Sequence, residues 1–245
     1  MSFRSEHIMS LAGTDYSGKT NEKLISIFNH YLKNGLHGLC FSPYMANQGP
    51  GSRITEEQIR ARLEIIRPFT NWIRVFSCTD GNEQIPALAK EYGLKVLAGA
   101  WLSDNKEINE EEIANLLQIA NDGNADLLAV GNEVLYREEL DEAELLQYIN
   151  RVKLEDHGLP VGYVDAYYEF VNRPKITEAC DVVYANCYPF WEGCHIDYSL
   201  LYIKDMYNRA VKAADGKRVI ITETGWPNRG SAFESSVPSL ENALN

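Results

Sequence analysis

Two apolar runs in this sequence each end on a glutamate. LLAVGNE carries Glu133 beside Asn132, and VIITETGWP carries Glu223 with Trp226 three residues on. A charge at the end of a buried strand costs desolvation, so each glutamate either caps a surface element or is held up to a ligand. Other chemistry-bearing residues sit at the ends of further apolar runs: Tyr44 in FSPY, Arg74 in IRVFS, Trp101, Asp165 in GYVDAYY, and Asn186, Tyr188 and Trp191 in VVYANCYPFW. Aromatic faces, amides and carboxylates in one place suit a carbohydrate, whose C–H faces stack on rings and whose hydroxyls seek polar partners. Two opposed carboxylates are what cleavage of a glycosidic bond requires, one as acid for the leaving oxygen and one as nucleophile or base at the anomeric carbon.

Those residues need elements to bring them together. Short apolar runs at Gly38–Tyr44, Trp72–Ser77, Lys95–Trp101, Leu127–Gly131, Val161–Asp165, Val182–Tyr188 and Val219–Glu223 read as strands. Helical stretches at Glu56–Pro68, Gln84–Tyr92, Asn109–Asp122, Asp141–Glu155 and Tyr198–Asp215 alternate with them, and Asn21–Lys33 precedes the first. Strands rich in Val, Ile and Leu on both faces, separated by helices, indicate a parallel sheet covered by helices. Thr55 before Glu56-Glu57-Gln58 offers a capping-box start. Asn109 before Glu110, Glu111 and Glu112 reads as a helix start favoured by the dipole, which makes those glutamates poor candidates for catalysis. The run after the first strand, FSPYMANQGPGS, lacks GxGxxG, and there is no phosphate-binding P-loop, so a dinucleotide fold is disfavoured. A (β/α)₈ barrel places its site at the C-terminal strand ends, where the polar and aromatic residues accumulate. No repeat, low-complexity tract or linker divides the 245 residues, so one domain spanning 1–245 is expected.

VGNE on a fourth strand and ITETGWP on a seventh, with FSPY followed by NQGPG, IRVFS and ANCYPFW in order, resemble glycoside hydrolase family 17, nearest its bacterial and fungal branch. The resemblance covers most of the chain. It implies a retaining clan A barrel acting on β-1,3-glucan (laminarin-like), by hydrolysis or glucanosyl transfer, with no cofactor. It also implies Glu133 as general acid/base, Glu223 as nucleophile, Asn132 as partner of the sugar 2-hydroxyl, and Tyr188 as the residue that steadies the nucleophile. Trp191 and Trp226 would stack on sugar or shape the site, and Tyr44 would line a subsite beside the cleavage point. The competing readings are a non-catalytic β-glucan-binding barrel and a clan A enzyme acting on another β-glycan. On the residues alone, Glu133 serves equally well as a helix cap. Asp165 either caps the next segment or binds substrate. Arg74 either faces the barrel mouth or forms a core ion pair. Trp72 reads as a core ring.

A net charge of −12 argues against a nucleic-acid partner and against docking on an anionic membrane. No run approaches the roughly 20 apolar residues of a membrane span. The first residues, MSFRSEHIMSLAGTDYSGK, have no apolar core of signal-peptide length, which leaves a cytoplasmic protein or one whose leader is not part of this sequence. Five cysteines leave at least one unpaired. Cys40 and Cys78 fall in predicted buried strands, and Cys187, Cys194 and His195 lack the spacing of a zinc site. Reduced structural thiols, no metal and a monomer are the expectation. PSLENALN reads as the first turns of a seventh helix, and the resemblance implies an eighth strand beyond it. The expected barrel therefore lacks that strand and has an open edge. A shortened sequence, a natural fragment or closure by a second chain would each account for it.

Overall fold

A computed structural model describes residues 18–155 and 157–244. The leader expectation concerns mainly residues 1–17, which lie outside them. Seven strands form one parallel sheet in strict sequence order: β1 (Leu36–Cys40), β2 (Thr70–Val75), β3 (Lys95–Ala100), β4 (Leu127–Asn132), β5 (Val161–Ala166), β6 (Val182–Asn186) and β7 (Arg218–Glu223). The helices between them are α1 (Asn21–Asn34, before β1), α2 (Glu56–Ile66), α3 (Ile85–Glu91), α4 (Lys106–Asn121), α5 (Glu142–Leu154), α6 (Tyr167–Asn172), α7 (Pro174–Ala179) and α8 (Ser199–Ala214), with α9 (Leu240–Leu244) after β7. The result is a nearly closed barrel, the (β/α)₈ architecture less one strand. Among the described residues no ladder joins β7 to β1. The Cys40 thiol of β1 reaches across to β7, donating to the Thr222 carbonyl at 3.3 Å.

Alternation along each strand sorts its side chains into two cores. Leu97, Leu127, Ala129, Val164, Val182 and Tyr184 fill the barrel interior, with Trp72 and Ile220 packed against them. Their neighbours along the chain, among them Val96, Leu128, Val130, Val161, Tyr163 and Val183, face the helices. Inside the barrel the strands approach closely where glycine permits it. A Cβ at Gly162 would lie 2.2 Å from the Val182 carbonyl oxygen.

The helix caps follow sequence rules with one shift. The Thr55 side chain accepts from Gln58 N at the start of α2, and Asp141 with Glu144 forms a full capping box on α5. Asn109, however, does not begin α4. Asn105 does, accepting from Glu107 and Ile108 N, one turn earlier. Asn109 is buried in the helix and grips the Ser103 backbone at both ends of its amide. Glu112 consequently lies inward, where it accepts from Ser77 Oγ, Thr79 Oγ1 and the amides of Cys78 and Trp101. Burial pushes its carboxyl up against those hydrogen bonds. It ties the ends of β2 and β3 together. The first strand ends at Cys40 rather than Tyr44, and Cys40 is exposed because it lies on an unpaired edge. Cys78 is buried but sits in the turn after β2, not in the strand.

Candidate active site

Both strands that end on a candidate carboxylate break register just before it. On β4, Ala129 pairs with Gly162 and Asn132 with Val164, so three steps on β4 match two on β5. On β7, Ile221 pairs with Ala185 and Glu223 with Asn186, so two steps match one. Each strand has therefore taken up one extra residue, a bulge. The consequence is a change of face. Strict alternation from the inward Ile220 would turn Glu223 toward the helices, and from the inward Ala129 it would turn Asn132 outward. The extra residue brings both into the barrel mouth. On β4 the extra step falls at Gly131, with φ +90°, where an added Cβ would lie 3.2 Å from the Tyr163 ring.

Glu133 and Glu223 line one cavity of about 420 Å³, together with Tyr136, Ala166, Tyr167, Tyr168, Asn186, Tyr188, Trp191 and Glu192. The two carboxylates are held differently. Glu223 is in an ion pair, with Arg74 Nη1 at 2.5 Å from Oε1, and the Tyr188 hydroxyl donates to Oε2 at 2.8 Å. Burial, and after it the charge of Glu223, hold the Tyr188 hydroxyl well above its ordinary range, so it stays a donor. Glu133 accepts one amide hydrogen bond, from Asn186 Nδ2 to Oε1 at 2.8 Å. The Asn186 orientation is set from β7, where Thr222 Oγ1 donates to Asn186 Oδ1 at 2.9 Å. Asn186 thus links the mouths of β4 and β7 through side chains.

Arg74 satisfies both of its sequence readings at once. It points into the mouth and forms a buried ion pair, and its second Nη donates to Asn132 Oδ1. Asn132 itself is buried below the cavity lining, with its oxygen given to Arg74. Glu133 is no helix cap. The next helix is capped by Asp141, eight residues on.

Tyr188 and Trp191 line the cavity as expected, and Trp191 is 64% exposed with its edge against Phe190 and Phe233. Trp226 does not line it. Its ring packs on Phe190 and its indole donates to the Val237 carbonyl, so it shapes the wall behind Trp191. Tyr44 is half-buried against the helix-side core, away from the lining. Asp165 also requires correction. Alternation places it with Tyr163 on the helix side of β5, fully buried, and Ala166 is the residue of that strand end that meets the cavity. Sequence reading passed over Tyr136, Tyr168 and Glu192 as cavity residues. Tyr168 stands in GYVDAYY beside residues already singled out, and an aromatic pair directly after a strand was the available signal.

A family model described as the BtgE/BtgC glycoside hydrolase domain matches residues 38–245. A glucan 1,3-beta-glucosidase of Candida albicans is 30% identical over 205 residues, covering 74% of this chain and 66% of that protein. One from Saccharomyces cerevisiae is 28% identical over 204 residues, 74% of this chain and 65% of that protein. The chain thus spans just under two thirds of the length of these curated relatives. Among solved structures, the glycoside hydrolase family 17 β-1,3-glucanosyltransferase of Rhizomucor miehei superposes with a TM-score of 0.77 at 31% identity, over 86% of this chain and 79% of that one. An active-site mutant of that transferase has been solved in complex with laminaritriose. By family model and by structural neighbour alike, this chain belongs to the BtgE/BtgC glycoside hydrolases and to glycoside hydrolase family 17.

Proposed function

We propose that the chain is a retaining β-1,3-glucan-active enzyme, with Glu223 as nucleophile and Glu133 as general acid/base. The observation that carries this reading is the asymmetry between two carboxylates that line one cavity. Glu223 faces a guanidinium and a phenol, partners that suit an anion. Glu133 has one neutral amide partner, which suits a group that must alternate between holding and releasing a proton. In the first step a Glu223 oxygen bonds to the anomeric carbon as the glycosidic C–O bond breaks, and the Glu133 proton passes to the departing oxygen. In the second, Glu133 takes a proton from water or from a sugar hydroxyl, whose oxygen displaces Glu223. Water gives hydrolysis, and a second glucan end gives transfer. The exposed Trp191 and Tyr136 beside the cavity offer faces on which a sugar ring can stack.

The β-1,3 linkage is supported by the relatives' names, among them two glucan 1,3-beta-glucosidases and a transferase solved with laminaritriose. The test uses laminari-oligosaccharides with the wild type, Glu223→Gln and Glu133→Ala. Turnover in the wild type should be lost in Glu223→Gln. Azide added to Glu133→Ala with an activated aryl β-glucoside should yield a glycosyl azide of retained configuration. Cleavage of cello-oligosaccharides with laminari-oligosaccharides ignored would refute the linkage. Binding of glucan without product at high enzyme concentration would leave a carbohydrate-binding barrel instead, a reading favoured only by the open seam beside Glu223.

A further inference from the structure

The acid is carried on an unusual turn. Glu133 has φ +50°, a left-handed conformation that side chains other than Gly, Asn and Asp rarely adopt and that costs on the order of 1–3 kcal/mol unless the surroundings over-determine it. Its own amide still bonds to the Val164 carbonyl at 2.8 Å, and its carbonyl accepts from Arg137 N. The amides two and three residues on turn to side chains of β5. Leu135 N donates to the Tyr163 hydroxyl at 3.0 Å, and Tyr136 N approaches Asp165 Oδ2 at 3.4 Å. The Tyr163 hydroxyl in turn donates to that same Asp165 oxygen, while Ala166 N holds the other at 2.7 Å. Both side chains stand on the helix side of β5, two residues apart, and neither reaches the cavity. The Tyr163 ring is packed between Gly131 and Phe170, so its hydroxyl has little freedom.

We propose that Tyr163 and Asp165 form a positioning pair for Glu133, holding the strained turn that aims the acid at the glycosidic oxygen. The pair touches no substrate. It acts through the Leu135 and Tyr136 amides, and Tyr136 is itself a cavity residue, so the same brace sets one wall of the ligand site. This inference rests on the reading of Glu133 as the acid/base.

Tyr163→Phe and Asp165→Asn test it by separating protonation from the rest of catalysis. Each variant is assayed by kcat/KM, which reports formation of the glycosyl-enzyme, on laminaripentaose and on a 2,4-dinitrophenyl β-laminaribioside whose leaving group needs no proton. A misplaced acid should lower kcat/KM on laminaripentaose by about 10- to 100-fold, and that on the dinitrophenyl substrate by less than about threefold. Equal losses on both substrates, or none on either, would overturn the proposal. Tyr163→Phe keeps the packed ring and removes only the hydroxyl, so it carries the test if Asp165→Asn does not fold. Amide exchange separates this idea from the function it rests on. Leu135 and Tyr136 should exchange faster in Tyr163→Phe while Leu128 and Val130 on β4 keep their protection, and unchanged exchange at 135 and 136 would sink the brace. A wild type inactive on both substrates would instead refute the catalytic reading.

Discussion

The two sides of this barrel are built to different standards. From β3 to β6 almost every strand residue is buried and each strand has a paired neighbour on either side. At β7 and β1 the pattern loosens: β1 is half exposed along its length, β7 is mostly half-buried, and a cavity of about 750 Å³ opens between them. Glu133 belongs to the closed side and Glu223 to the open one. Glu133 sits on the turn directly after β4, a strand fixed from both flanks, and its own amide bonds to the Val164 carbonyl. Glu223 has one paired flank, through β6, and owes its remaining placement to Arg74 and Tyr188. Among the described residues, Arg74 and Tyr188 hold the Glu223 carboxylate where β7 has no ladder on its second flank.

Removing Arg74 should show that division most strongly. Arg74→Ala leaves Glu223 without its cation and Asn132 without its donor. We expect a loss of about 3 kcal/mol in stability, as for a buried pair broken on one side, and roughly 10²-fold in activity. Urea unfolding and laminari-oligosaccharide kinetics read the two effects, and a variant that keeps wild-type activity would show that the open edge needs no such support.

On the closed side the largest electrostatic effect should come from Asp165. Burial pushes its carboxyl up to about 7, opposed by the hydrogen bonds from Tyr163 and Ala166 N and aided by the charges of Glu169 and Glu133. Tyr168 and Arg173 are its other titratable neighbours from the helical side, and Tyr136 touches it through its amide. Between about pH 4 and 7 the native state keeps this proton and the unfolded chain does not, so the contribution to stability falls as pH rises through that window and is flat above it. Unfolding free energies of the wild type relative to Asp165→Asn should decline by roughly 1.4 kcal/mol per pH unit there. A flat difference from pH 4 to 8 would remove the buried carboxyl from the account.

Packing gives a purely steric version of the same contrast. Gly162→Ala on β5 would drive a methyl into the Val182 carbonyl and the Tyr184 ring, and should cost about 2 kcal/mol. Gly38→Ala on β1 meets Trp72 Cβ at 3.2 Å and the Trp72 carbonyl oxygen at an ordinary 3.6 Å, and should cost less than about 1 kcal/mol. Similar losses in melting experiments would mean the seam is as tightly packed as the wall. The smallest change is expected at the rim. Trp191→Ala should weaken oligosaccharide binding by about fivefold, near 1 kcal/mol for one aromatic contact, with melting unchanged. An unaltered Kd by titration calorimetry would take the ring out of the ligand site.

The strand order and the two glutamates were legible because apolar runs of strand length ending on polar residues are local signals. What stayed hidden depended on register or on distance. The bulges before Asn132 and Glu223 have no composition of their own beyond Gly131. The dual role of Arg74 needs partners 58 and 149 residues away. Of the two readings of Asp165, the substrate contact fails because its face counts from the inward Val164, which turns it toward the helices. Helices α6 and α7 were missed for a different reason. Each has six residues, split at Arg173-Pro174, too short for a 3.6-residue period to show.

The left-handed backbone at Glu133 also bears on how such a protein would respond to engineering. Glycine or asparagine fits that conformation with less strain, so Glu133→Gly or Glu133→Asn should melt later than the parent while losing the acid. A laboratory selection for heat resistance alone would drift toward those replacements, and a library screened on survival before activity would fill with stable, inert barrels.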